Sequence, residues 1–167
     1  MWSVFPIASG YEIPAYIHQL DRHLLSDPSA GVSSETIAML QEILRVDAPF
    51  VEPSSVIEVH DTYNTEIAGL SITITHAPGH TQGSVLFEIP GDQPTVFTGD
   101  VLFAGAIGRT DLPGGSNEMM TRTLRTKILP LADGTIIHPG HGPSTTMEQE
   151  RVTNPYLLRI AQGLEAV

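Results

Sequence analysis

The chain contains no cysteine. That excludes a disulfide framework, a thiolate nucleophile and any sulfur-based zinc site, so a metal site here has to be built from histidine and carboxylates. Basic residues are also scarce: eight Lys and Arg stand against nineteen Asp and Glu, a net charge of −11. A surface of that sign repels nucleic acid and anionic lipid, and neither is expected as a partner. The imbalance is uneven, because up to residue 100 the only basic residues are Arg22 and Arg45, whereas Arg109, Arg122, Arg125, Lys127, Arg151 and Arg159 all come later. An anionic substrate would meet its cations in the second half. No run approaches the roughly 18 apolar residues of a membrane span. The start is mildly apolar, lacks a basic n-region and is interrupted by Pro6, so the expectation is a cytoplasmic protein with no membrane association.

What remains is a globular balance, 41% hydrophobic and 16% charged over 167 residues. That is enough to bury a core, and the length predicts one domain over residues 1–167. Ala15 to Ile17 reads as a short strand and Leu20 to Leu25 as a brief helix stopped by Ser26-Asp27-Pro28. Ser34 is placed to cap a helix whose Ile37, Leu40, Ile43 and Leu44 share one face. From Val56 to Thr98 the hydrophobic period becomes two: Ile57 and Val59, then Leu70, Ile72 and Ile74, then a hairpin of Val85 to Ile89 and Thr95 to Thr98 around Pro90-Gly91-Asp92-Gln93. A glycine-rich loop follows, with Gly105, Gly108, Gly114 and Gly115. A helix is predicted from Asn117 to Leu129, with Met120, Leu124 and Ile128 stacked and Pro130 ending it. Thr135 to His138 reads as a strand, Thr145-x-x-Glu148 as a capping box, and Asn154-Pro155 as the start of a last helix, Tyr156 to Leu164. Strands in a block, then helices alternating with single strands, indicate a layered α/β or α+β fold.

Three segments lie where a strand gives way to a loop, the usual place for displayed chemistry. They are Thr75 to Ser84, Phe97 to Asp100 and His138 to Pro143. Each offers an imidazole or a carboxylate beside a glycine, and together His80, Asp100 and His141 have the donor types of a zinc or iron site. His18, His23 and His60 are read as turn histidines bonded to backbone, and His76 and His138 as supports beside stronger candidates.

In this order the segments resemble the metallo-β-lactamase superfamily, and within it the single-domain glyoxalase II-like (hydroxyacylglutathione hydrolase-like) hydrolases. Gly79-His80-Thr81-Gln82-Gly83-Ser84 is similar to that family's third metal motif, Phe97-Thr98-Gly99-Asp100-Val101-Leu102-Phe103 to its bridging-aspartate motif, and Pro139-Gly140-His141-Gly142-Pro143 to its last metal histidine. Ile107-Gly108-Arg109-Thr110-Asp111-Leu112-Pro113-Gly114-Gly115-Ser116 resembles the loop of the glyoxalase-like branch. The resemblance implies an αββα sandwich and two divalent metal ions, zinc or else iron or manganese. His80 would bind one ion, His141 the other and Asp100 both, with Arg109 and Asp111 in the substrate loop or behind the ligands. It implies hydrolysis of a thioester such as S-2-hydroxyacylglutathione, whose thiolate leaves without much acid help.

The family's first motif, His-x-His-x-Asp-His, has no counterpart: histidines stand only at 18, 23, 60, 76, 80, 138 and 141. Met1-Trp2-Ser3-Val4, running into Pro14 to His18, resembles the family's sequence just downstream of that motif. The sandwich is therefore expected to be incomplete at the N-terminus, with weak metal binding and poor thioester turnover. A homo-oligomer through an open sheet edge is a further expectation, with Leu70-Ile72-Ile74 as the uncovered strand. The competing readings are a non-catalytic remnant or interaction module, and a persulfide dioxygenase or lactonase of the same superfamily.

Overall fold

The structure, a computed structural model, describes residues 4–33, 36–39 and 51–167. Its strands are β1 (Ala15–His18), β2 (Val56–Val59), β3 (Thr62–Ile67), β4 (Leu70–His76), β5 (Val85–Ile89), β6 (Thr95–Gly99), β7 (Leu102–Phe103), β8 (Ala106–Ile107), β9 (Ile136–Pro139) and β10 (Thr145–Thr146). The helices are α1 (Val4–Tyr11), α2 (Asn117–Thr123), α3 (Met147–Thr153) and α4 (Pro155–Ala161). The helix expected from Ser34 to Leu44 lies for the most part outside the described residues, of which Thr36 to Met39 are helical.

Six strands form the main sheet in the order β10-β9-β6-β5-β4-β3, with β6 and β9 parallel and every other pair antiparallel. Because side chains alternate across a strand, one face carries Leu86, Val96 and Ile137. Met120, Leu124 and Ile128 of the helix that begins as α2, with Met147, Leu157 and Ile160 of α3 and α4, close over that face as one buried cluster. Each such side chain contributes about 1.5–3 kcal/mol by leaving water.

The pairing register puts Tyr63, Ile74, Phe87, Phe97 and His138 in one row on the opposite face. Beside this face lies a second, two-stranded sheet in which β1 pairs parallel with β2. His18 then leads into the 3-10 turns Gln19–Leu25 and Pro28–Gly31. A cavity of about 600 Å³ separates the two, walled by Tyr16 and Leu24 on one side and Phe87 and Phe97 on the other. The layers are those of the expected α/β sandwich.

Several local expectations need correction. Leu70-Ile72-Ile74 is open only at its start: β4 pairs with β3 throughout but with β5 from Thr73 onward, so Leu70 is 49% exposed while Ile74 is fully buried. Phe97 of β6, 45% exposed, is a second uncovered apolar residue of this sheet. The helix expected to run regularly from Asn117 to Leu129 widens into a π turn over Leu124–Ile128, where the Leu129 N–H reaches the Leu124 carbonyl. The cap of α3 is one residue beyond the one expected. Thr146 accepts the Gln149 N–H, while Thr145 pairs in β10 and donates to Glu150. Asn154 does cap α4, accepting the N–H groups of Tyr156 and Leu157. The first helix, α1, has no counterpart in the sequence reading; Pro6 lies in its first turn, where proline is tolerated.

Candidate metal site

Asp100 owes its position to an irregularity in β6. The β6–β9 register shifts between Phe97 and Gly99, leaving Thr98 as an extra residue on β6. Bulges of this kind re-aim the chain at sheet ends. Thr98 is fully buried, its hydroxyl donates to the Leu102 carbonyl (2.8 Å), and the Val101 N–H closes the turn onto the Thr98 carbonyl (3.1 Å). The turn lifts the Asp100 carboxylate out of the sheet, towards two imidazoles.

One is His80, in the loop between β4 and β5. Its Nδ1 lies 2.9 Å from the Arg109 carbonyl. A carbonyl only accepts, so Nδ1 carries the proton and Nε2 presents its lone pair. That Nε2 is 3.6 Å from Asp100 Oδ2. The other imidazole is His141, in the loop after β9, which the Gly140 N–H ties to the Gly99 carbonyl (2.8 Å). Its Nε2 is 3.9 Å from the same Asp100 oxygen, and its ring stacks on Phe103 with centroids 4.4 Å apart. The side chain of His141 is 73% exposed.

Ligand bonds of about 2.0–2.2 Å place two donors on one ion no more than roughly 4.2 Å apart. Both histidine–aspartate separations meet that limit. The trio as a whole does not form a tight cluster: among the described residues the group whose donors all lie within 4.8 Å of one another is His18, Asp61 and His76. The donors at 80, 100 and 141 are thus disposed on either side of one carboxylate. That suits two ions sharing Asp100 better than one ion held by all three, and each ion would still need further donors to reach the three protein ligands usual for a catalytic zinc.

Arg109 and Asp111 form a bidentate pair, Nε to Oδ1 at 2.8 Å and the second guanidinium nitrogen to Oδ2 at 2.7 Å, and both side chains are exposed. The guanidinium hydrogen bond holds the Asp111 carboxyl down to about 2. What Arg109 gives His80 is its backbone carbonyl, not its charge. A second cavity, of about 430 Å³, opens between the three donors and the β7–β8 hairpin and is lined by Phe103, Ile107, Arg109 and Pro143.

His18, Asp61 and His76 satisfy a distance test for a metal but not its angular one. The rings of His18 and His76 are stacked at 4.0 Å and only 6° from parallel. An ion bound through ring nitrogens lies near the plane of each ring, and two parallel planes do not meet at a common point. The His76 Nε2–H donates to the Gln82 carbonyl (2.8 Å), while His18 Nδ1 accepts from the Leu20 N–H (3.3 Å). The pair acts as packing between β1 and β4. Sequence reading left His18 among the turn histidines, and nothing in its local pattern announces a partner so distant in sequence. His138, read as a support, bonds the Ser144 hydroxyl (2.7 Å) and packs on Phe97.

Burial and then the neighbouring His76 lower the proton affinity of His18, against the weaker pull of Asp21 and Asp61. The folded protein therefore resists protonating this ring while the unfolded chain accepts a proton near pH 6.5. Stability is held above that pH and lost as pH falls below it. Urea midpoints at pH 8 and pH 5.5 should differ by less in His18→Gln than in the parent chain; an unchanged difference would remove His18 from the acid response.

Comparison with known proteins bears on the family and the fold. Residues 1–141 match the sequence profile of the Metallo-beta-lactamase superfamily. An uncharacterized protein of Mycobacterium tuberculosis (strain ATCC 25618 / H37Rv) is 41% identical over 162 residues, covering 94% of this chain and 70% of that protein. Hydroxyacylglutathione hydrolase GloC of Haemophilus influenzae is 49% identical over 92 residues, 55% of this chain and 43% of its own length. Among solved structures, BLEG-1 B3 metallo-beta-lactamase superposes with a TM-score of 0.75 at 33% identity, over 93% of this chain and 70% of that one.

Proposed function

The chain belongs to the metallo-beta-lactamase superfamily, a family of metal-dependent hydrolases, and from that premise we propose that it carries metal-ligating residues of a thioesterase acting on S-2-hydroxyacylglutathione-like substrates. One observation carries the metal part of this reading: an aspartate flanked by two imidazole nitrogens at 3.6 and 3.9 Å, the first held in its ligating tautomer by a backbone carbonyl. His80 would serve one ion, His141 the other, and Asp100 both. The substrate class is supported by the likeness to GloC over the stretch they share.

Bound divalent metal supplies Lewis acidity and lowers the proton affinity of water at the site. The chain's own residues do the rest. Arg109's carbonyl keeps His80 from turning, and Phe103 steadies the exposed His141. Phe103 and Ile107 give an apolar wall to a cavity of a size for a small acyl group. Hydrolysis adds water across the acyl C–S bond, giving a carboxylic acid and a thiol. A thiol leaves as thiolate near neutral pH, so the reaction demands no strong general acid.

Zinc titration calorimetry tests the donor set. His80→Ala, Asp100→Asn and His141→Ala should each weaken zinc binding by more than about 100-fold, a larger loss than the 10–100-fold typical of residues behind the ligands. Asp100→Asn should do most damage, because it removes the shared donor. Zinc affinity unchanged in all three would end the reading. A substrate panel of a glutathione thioester, a lactone, a β-lactam and a persulfide then separates the thioesterase from its relatives; turnover of the β-lactam alone would favour the activity named for BLEG-1.

A further inference from the structure

We propose that Asp21 is the residue that positions the His80 loop for metal, an inference that rests on reading His80 as a ligand. The loop from Ala77 to Ser84 is fixed on its inner side by three contacts: the Thr123 hydroxyl on the Pro78 carbonyl (2.6 Å), the Ser116 N–H on the Gly79 carbonyl (2.8 Å), and Nδ1 of His80 itself on Arg109. Its outer side is held by the turn that follows β1. There the Asp21 carboxylate, 7% exposed, accepts the Thr81 hydroxyl on one oxygen (2.6 Å) and the Gly83 N–H on the other (2.8 Å).

The fit is close. A Cβ on Gly83 would stand 2.6 Å from Asp21 Cγ, so the absence of a side chain at 83 is what lets the carboxylate reach the loop backbone. Among the described residues no cation pairs with Asp21, and a buried carboxylate in that position depends on donors that satisfy both oxygens. Those donors come from the residue after His80 and from one three positions on. Three residues before Asp21, His18 stacks on His76, whose ring donates to the Gln82 carbonyl within the same loop. A single segment early in the chain therefore grips the loop at 81 and 83 and braces His76 at the end of β4, and leaves His80 between these grips and the Arg109 carbonyl. Residues that orient a ligand from behind in this way change metal affinity by about 10–100-fold when lost.

The test uses the chain as it stands, zinc alone as probe, and two readouts that need no turnover: amide hydrogen exchange at residues 79–84 and the NMR signal of the His80 Nδ1 proton. Asp21→Ala should weaken zinc binding by about 10–100-fold, speed exchange of the Thr81 and Gly83 amides at least about tenfold and broaden the His80 proton. Asp21→Asn keeps an acceptor for Gly83 and should recover affinity to within roughly threefold of the parent. Thr146→Ala, which strips the distant cap of α3, supplies a destabilised control whose zinc affinity should not move. Zinc affinity and His80 signal unchanged in Asp21→Ala, or weakened no more than in Thr146→Ala, would overturn the inference while leaving the metal reading intact. Zinc binding indifferent to His80→Ala would instead fell the metal reading, and the exchange rates and the His80 proton would then decide Asp21's role alone. If Asp21→Ala does not fold, Thr81→Val, which removes one of the two donors, is expected to show the same changes at smaller size, and no change there counts against the proposal.

Discussion

Gly108→Ala is expected to abolish zinc binding and to lower stability by roughly 3 kcal/mol, the upper range for forcing extra volume into a packed site. Gly108 closes the segment that leaves the sheet at Asp100 and returns through β7 and β8. A Cβ there would lie 1.8 Å from the Asp100 carbonyl oxygen and 3.2 Å from the Cβ of His80. The first of these is backbone, and no rotamer relieves it. The chain would have to separate Asp100 from the loop that carries Arg109, and with it the carbonyl that fixes His80. Zinc calorimetry with a urea unfolding curve reads both effects; a parent-like midpoint with parent-like affinity would show that the segment yields more easily than its contacts imply.

Glu150→Ala should cost about 4 kcal/mol, a drop in Tm of roughly 8–16 °C for a chain of this size. Glu150 is 1% exposed, and its carboxylate accepts the Gly105 N–H, the Thr145 hydroxyl and the Asn154 amide, each at 2.8 Å. Deleting it strands buried donors, each costing about 1–3 kcal/mol. Glu150→Gln preserves a single carbonyl acceptor and should lose about half as much. Because Gly105 forms the β7–β8 turn, next to the Phe103 ring under His141, the alanine variant should also bind zinc less tightly than its fold alone would suggest. Thermal melts with and without zinc check this, and a Tm within about 2 °C of the parent would refute it.

Much of the sheet was legible because its strands alternate. Val85 to Ile89, Thr95 to Thr98 and the strand ending at His138 announce themselves by period and by the Pro90 to Gln93 turn. The β3–β4 hairpin did not, since it turns on Ala68-Gly69 with both residues at positive φ (54° and 78°). Such turns ordinarily advertise themselves with Asn-Gly or Asp-Gly. The position of β4 inside the sheet was likewise hidden, because alternation tells which side of a strand is buried and says nothing of what pairs with its edges. In the site, the order of His80, Asp100 and His141 was readable from motif resemblance, and the structure sets each histidine within 4 Å of Asp100. Arg109 was singled out for its charge, yet its contact with His80 runs through the main chain. Asp21 was invisible: a lone aspartate in a short turn looks like any helix-start acid until its distant partners are known.

The parallel pairing of β6 with β9 also sets the order in which the site comes into being. The β3–β4–β5–β6 meander joins neighbouring strands through short connections, so loop-closure entropy favours these contacts forming first. β9 reaches β6 only after the chain has passed through the β7–β8 hairpin and α2, and it is this docking that delivers His141 to Asp100. The backbone at Asp100 is set by the meander, whereas His80 also needs Arg109 and Asp21, and His141 needs β9. An ion shared by Asp100 and His141 would span that long-range junction, and its expected effect is to slow unfolding more than to speed folding.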